Sequence, residues 1–181
     1  MTPKTRHRPR ASLLLVCLNA LLWAHPARAS TAASPRPDLL IYGFEPFGDF
    51  DQNPSAALAR DIASSDQRRH ALVLPVSPAG ALGGLLKQLE RQPKVIIGLG
   101  VRADVDALEL NTEATNWLAM RAPGELPYFG SIDPSLPAAL ALQPEWRDTL
   151  QAAVRSLGPG LRLSPDAGMH ACNLTFFYAL L

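Results

Sequence analysis

Charge is scarce in this chain of 181 residues: Asp, Glu, Lys and Arg together make up 18%, and aromatic residues only 7%. Low charge beside 48% hydrophobic residues excludes wholesale disorder, because such a chain has enough apolar surface to build a core. Cysteine is also scarce, at two residues, with four histidines. They do not fall at chelating spacings, so no metal site is expected. No glycine-rich loop carries the Lys of a phosphate cradle, and no nucleotide or other cofactor is expected. No apolar run reaches the roughly 20 residues of a membrane-spanning helix. Proline, by contrast, is plentiful at 17 residues. It predicts many turns and few very long helices.

The net charge of +1 hides an uneven distribution. Residues 1–29 hold Lys4, Arg6, Arg8, Arg10 and Arg28 and no acid, so the rest of the chain is mildly acidic. An acidic body argues against nucleic-acid binding, which needs a basic face for phosphates. The basic start precedes the apolar run Ala11 to Ala24 and the small-residue pattern Ala27-Arg28-Ala29. This is the three-part layout of a secretory signal peptide, with cleavage expected after Ala29. Residues 30–37 are expected to be a flexible lead-in and residues 38–181 the folded domain, secreted or periplasmic and free of the membrane. Cleavage removes Cys17 and leaves Cys172 without a partner. A lone thiol in an oxidising compartment is either a reactive group or a buried small hydrophobe, and composition does not choose between them.

Leu39 to Tyr42 reads as a buried strand ended by Gly43. Asn53-Pro54-Ser55 predicts a helix start, with Asn53 as cap and Pro54 in the first position, running to about Ser64. His70 to Val76 predicts a second strand and Ala79 to Arg91 a second helix. Lys94 to Gly98 is continuously apolar, which predicts a central strand. Ala107 to Asn116 alternates and predicts a fourth strand. Arg121 to Gln143 is rich in Pro and Gly and predicts loop. Pro144 to Leu157 predicts an amphipathic helix closed by Gly158, Leu161 to Ser164 a short strand, and the region from near Cys172 a last helix. Strands alternating with helices predict an α/β fold with helices on both sides of a mostly parallel sheet.

Two segments suggest chemistry. Gly43-Phe44-Glu45-Pro46-Phe47-Gly48 follows the first strand, at the sheet end where α/β proteins place ligands. Phe44 and Phe47 suit an apolar clamp there, or an ordinary hydrophobic loop. Ala167-Gly168-Met169-His170-Ala171-Cys172-Asn173 places the thiol at a helix start. The helix dipole favours the thiolate there, and backbone N–H groups can hold an oxyanion. Such a Cys is a candidate nucleophile, which needs a His base and usually a third group.

With these segments stand Leu74-Pro75-Val76, Ile97-Gly98-Leu99-Gly100, Asn116 with Arg121 five residues on, and Ile132-Asp133-Pro134. As an ordered set from Leu39 to Leu181, they resemble the pyrrolidone-carboxylate peptidase (pyroglutamyl peptidase I) family of cysteine peptidases. The resemblance implies a three-layer α/β/α sandwich with a mostly parallel central sheet. It also implies removal of N-terminal pyroglutamate from peptides. Cys172 matches the family nucleophile, Phe44 and Phe47 the aromatic pair around the pyrrolidone ring, and Arg121 an Arg near the site. His170 and Ala171 are expected in the pocket wall. Homo-oligomerisation stays open.

Two departures stand out. The family's catalytic acid, five residues before its Asn, is matched by Asn111. Asn accepts a hydrogen bond from an imidazole but brings no negative charge to stabilise an imidazolium. Glu109 and Glu113 lie two residues to either side, on the same face of a regular strand. They are substitutes for the acid or plain solvated strand residues. The family His follows its Cys by a helix and a strand, beyond Leu181. The expectation is a truncated or degenerate member without the family's final strand and helix. Of the remaining histidines, His70 falls at the far strand end, and His170 is either pocket wall or a replacement base. The expected function is therefore a pyroglutamyl peptidase acting through Cys172, with a non-catalytic pyroglutamyl- or lactam-binding relative as the alternative.

Overall fold

A computed structural model of the chain describes residues 36–48, 51–102, 107–121 and 124–181. The segment predicted to be a signal peptide and most of the predicted lead-in lie outside the described residues.

Strand β1 (Leu39–Phe44) is flanked in parallel by β2 (Arg69–Leu74) and β3 (Val95–Gly98), in the order β2-β1-β3. Leu40, Tyr42 and Phe44 point to one face of β1, and their core includes Leu85 of helix α2 (Pro78–Leu89) and Leu174 of helix α4 (Ala171–Ala179). The alternation of the strand sends Gly43 to the other face. A Cβ on Gly43 would come within 2.4 Å of the Ser55 carbonyl oxygen in helix α1 (Pro54–Ser64). Helices thus cover both faces of the sheet, the three layers expected of the fold.

The central place belongs to β1, whereas the sequence predicts it for β3. Among the described residues β3 is an edge, with Val95 36% and Ile97 41% exposed. A continuous apolar run records that both faces can be buried, but does not record which neighbour lies beside the strand.

The strand predicted over 107–116 is two strands in different sheets. β4 (Leu108–Asn111) pairs in parallel with β9 (Leu161–Ser164), while β5 (Glu113–Thr115) pairs antiparallel with β8 (Ala139–Ala141). Thr112 is the switch between them: its N–H donates to the Ser164 carbonyl, and its carbonyl accepts from the Leu142 N–H, both at 2.8 Å. β6 (Leu118–Met120) pairs antiparallel with β7 (Tyr128–Gly130). The segment expected to be loop therefore contributes β7 and β8, three residues each. Such short strands exist only through their partners.

Local signals set the helix boundaries. Asn53 caps α1 through its Oδ1, which accepts from the Ser55 N–H at 3.0 Å, and Pro54 sits in the first turn. Ser77 caps α2 in the same way, accepting from Gly80 N–H at 3.2 Å. Helix α3 (Pro144–Leu157) ends at Gly158, whose φ of 90° suits glycine. Its apolar stripe does not enter a core: no α3 residue is buried, and Trp146 and Leu150 border a cleft instead. Among the described residues no helix is long and apolar enough to cross a membrane.

Candidate active site

A cleft of about 2190 Å³ runs along the carboxyl ends of β1 and β3, the start of α4 and the strand β4. Phe44, Phe47, Asn111, Arg121, His170, Ala171 and Cys172, the residues singled out by sequence, all line it. Segments far apart in the chain therefore meet at one place, the sheet end at which parallel α/β folds bind ligands.

The Phe44 loop is fixed by α1's cap. The Phe44 N–H donates to Ser55 Oγ at 3.0 Å, Ser55 Oγ–H donates to Asn53 Oδ1 at 2.7 Å, and Asn53 Nδ2 donates to the Glu45 carbonyl at 3.1 Å. One Asn thus caps a helix and clamps the loop. The two Phe residues are not equivalent. Phe44 is 3% exposed and meets Tyr42 edge-to-face at 5.9 Å, so it belongs to the core as well as the cleft wall; Phe47 is 36% exposed.

Cys172 occupies the second position of α4, where backbone N–H groups have no partner within the helix. Asn173 holds that end of the helix. It is fully buried, and its amide closes hydrogen bonds to the Thr115 N–H, the Thr115 carbonyl and the Trp117 carbonyl, each at 2.9 Å. From the other side, the Ala119 N–H donates to the Met169 carbonyl at 2.7 Å.

The thiol packs on β3's exit. A Cβ on Gly100 would lie 2.6 Å from Cys172 Sγ, and one on Gly98 would lie 2.3 Å from the Tyr42 hydroxyl. These two close approaches are the physical reason for the Gly-Leu-Gly spacing. Burial pushes the Cys172 thiol up to about 11, against its own backbone N–H and the charge of Arg102, which act the other way. The sequence reading expected the helix start to favour the thiolate; desolvation is the larger effect. Burial also raises the Tyr42 phenol above its usual range.

Asn111 ends β4 opposite Ser164, and its Oδ1 is buried without a hydrogen-bond partner. A buried acceptor left open in a cleft is costly to the fold and available to a ligand. His170 is exposed, caps α4 by position alone, and makes no hydrogen bond to Cys172. His70 sits at the amino end of β2, its pKa lowered by burial and by Arg91. Arg121 is exposed at the cleft rim beyond β6. Among the described residues no cluster of His, Cys, Asp and Glu is assembled to hold a metal.

Glu109 and Glu113 are both engaged elsewhere. Glu109, its side chain 10% exposed, takes Arg162 Nη2 on one oxygen at 2.8 Å and Arg102 Nη1 on the other at 3.2 Å. Glu113 pairs with Arg147 at 3.4 Å on the surface. The sequence reading missed Arg102 and Arg162. The signal for Arg162 is the β4–β9 register, which sets it opposite Glu109; Arg102 lies in neither strand.

No family model matches the chain. Individual proteins do. The pyrrolidone-carboxylate peptidase of Deinococcus radiodurans is 30% identical over 152 residues, covering 80% of this chain and 69% of that protein. The enzyme of the same name from Thermococcus litoralis is 29% identical, covering 78% and 67%. Among solved structures, the pyrrolidone carboxyl peptidase of Thermococcus litoralis superposes with a TM-score of 0.67 at 28% identity, over 78% of this chain and 67% of that one. That of Thermus thermophilus gives 0.67 at 35% identity, over 78% and 76%. Shared sequence and shared fold lead to one conclusion: the chain belongs to the pyrrolidone-carboxylate peptidase family.

Proposed function

We propose that the protein removes N-terminal pyroglutamate from peptides, with Cys172 as the nucleophile. The observation that carries this is the meeting of Cys172, at the open N-terminus of α4, with Phe44 and Phe47 in one cleft. A neutral five-membered lactam suits apolar walls with a few placed polar groups. In the reaction, the Cys172 sulfur adds to the pyroglutamyl carbonyl carbon, and the N–H groups at the start of α4 receive the oxyanion. The peptide amine leaves with a proton, and water then cleaves the thioester to regenerate the thiol. His170 is the base within the described cleft, Asn111 the group at the family's acid position, and Arg121 a rim residue facing the peptide. The basic and apolar leader supports a place outside the cytoplasm, in the periplasm of a cell with two membranes.

A second reading is a non-catalytic pyroglutamyl- or lactam-binding protein. It is favoured by a neutral Asn111 whose acceptor is open, and by a His170 that does not bond the thiol.

Intact-protein mass spectrometry after mixing with an activated pyroglutamyl ester separates the two. A pyroglutamyl thioester on the Cys172 peptide supports the peptidase. An unmodified protein that releases heat on titration with pyroglutamate supports the binding protein. Neither adduct nor heat from a cooperatively folded chain contradicts both.

A further inference from the structure

The cleft is larger than a lactam requires. A pocket for a drug-sized ligand holds roughly 300–1,000 Å³, yet this one measures about 2190 Å³. Away from Cys172 it continues as a groove bordered by every residue of β3 and every residue of β4. Among the described residues β3 pairs only with β1, and β4 only with β9. Two open strand edges therefore border one groove. Alternation fixes which backbone groups they present. The Val95 and Leu99 N–H groups donate to the Asp38 and Tyr42 carbonyls on the β1 side, at 3.0 and 2.8 Å. Ile96 and Gly98 alternate with them and turn their N–H and carbonyl groups the other way. On β4 the Leu108 and Thr112 N–H groups donate to the Gly160 and Ser164 carbonyls on the β9 side, at 3.0 and 2.8 Å. Glu109 and Asn111 therefore turn theirs to the groove.

The surroundings set the chemistry of an occupant. Phe176 and Ala179 of α4 and Trp146 and Leu150 of α3 border the groove with apolar surface. Leu108 is 66% exposed beside it. The charge in the middle of β4, Glu109, is already matched by Arg102 and Arg162. Both strands run toward the thiol: β3 leads to Gly100, which faces Cys172 Sγ, and β4 lies parallel to β9, which leads to α4. A peptide whose first residue is held at Cys172 has its N-terminus at that end, so it runs against both strands. We propose that the peptide portion of the substrate binds as an extended strand between β3 and β4, antiparallel to both, and that the preferred substrates are pyroglutamyl peptides with apolar, uncharged residues after the pyroglutamate. Four strand residues span about 13 Å, so about four peptide residues are read. Main-chain hydrogen bonds to the two edges give affinity, and the apolar layers give selectivity, as in other strand additions. The proposal rests on the pyroglutamyl peptidase reading and adds the class of peptide.

The test reads binding to the full chain, by anisotropy of pyroglutamyl-Val-Ala-Val-Ala carrying a C-terminal fluorophore. This peptide is expected to bind about tenfold or more tighter than pyroglutamyl amide, used as competitor, and than pyroglutamyl-Glu-Ala-Glu-Ala. A peptide wedged between two edges donates its N–H groups alternately to each. N-methylation of the first and third residues after pyroglutamate, or of the second and fourth, is therefore expected to weaken binding by about tenfold in either case. Sensitivity to one set only, or to neither, overturns the proposal. Hydrogen exchange read by NMR is expected to show new protection at the Ile96, Gly98, Glu109 and Asn111 amides on binding. Protection of these amides in the free protein, at the mass of two chains, gives the groove to a second copy and overturns the proposal. Leu108→Glu, at an exposed position, is expected to melt like wild type and bind the Val-Ala peptide about tenfold more weakly. Unchanged affinity in that variant overturns the proposal; if the variant does not fold, the N-methyl series on wild type decides. Tail-dependent binding with no thioester on Cys172 contradicts the peptidase and leaves the groove standing, whereas a thioester without any preference for the apolar tail does the reverse.

Discussion

The side-chain amide of Asn173 satisfies both backbone polar groups of Thr115, accepting from its N–H and donating to its carbonyl, each at 2.9 Å. It substitutes for a strand edge at the point where β5 turns toward β6. The residue next to the thiol is therefore the one that fixes the helix bearing it.

Asn173→Ala should leave three backbone groups without their partner, the Trp117 carbonyl among them. The expected loss is roughly 2–5 kcal/mol, at the severe end for a point substitution. Denaturant unfolding checks it. A loss below about 1 kcal/mol would show that water replaces the amide.

Asn111→Ala should behave oppositely. Its Oδ1 is buried without a partner, so truncation frees the fold of an unmet acceptor. The midpoint of thermal unfolding is expected to hold within a few degrees, while heat of pyroglutamate binding falls. A large drop in melting temperature would mean that Asn111 is structural.

Gly100→Ala should displace the sulfur rather than the backbone, since the atom 2.6 Å from the new Cβ is Cys172 Sγ, a side-chain atom. Stability is expected to fall by about 1 kcal/mol, the cost of an off-rotamer side chain. Turnover is expected to fall by about a hundredfold, as for reacting atoms misplaced by an ångström. Comparing melting with acyl-transfer rate tests the split; equal wild-type rates would place the sulfur elsewhere.

The thiol's pH dependence fixes the sign of a stability effect. Burial raises its pKa from an ordinary 9.0 to about 11. Below about pH 9 the thiol is protonated in both states and contributes no slope. Between about 9 and 11 the unfolded chain loses this proton first, so stability falls as pH rises. The loss approaches roughly 2–3 kcal/mol by pH 11. Cys172→Ala removes that portion, and unfolding curves for the two proteins should diverge only above pH 9. Parallel curves would mean an unburied thiol.

Much of this site was legible because its signals are local. Asn53-Pro54 carries its own cap and Gly158 its own helix stop. What was not legible depends on partners. Thr112 looks like the middle of one strand until Ser164 and Leu142 take its two backbone groups in different sheets. β3 reads as central until its neighbours are known. Glu109 reads as a solvated strand residue, yet Arg162, 53 positions on, buries it in an ion pair. The depressed thiol pKa expected of a helix start failed for the same reason, since burial is a property of the packed chain.

The most direct measurement is chromophore release from a pyroglutamyl arylamide by the purified protein, beside Cys172→Ala. The account predicts slow but measurable turnover that rises with pH toward the thiol's range near 11 and vanishes in the variant. Turnover that survives in Cys172→Ala, or no turnover from wild-type protein that melts cooperatively, would contradict it.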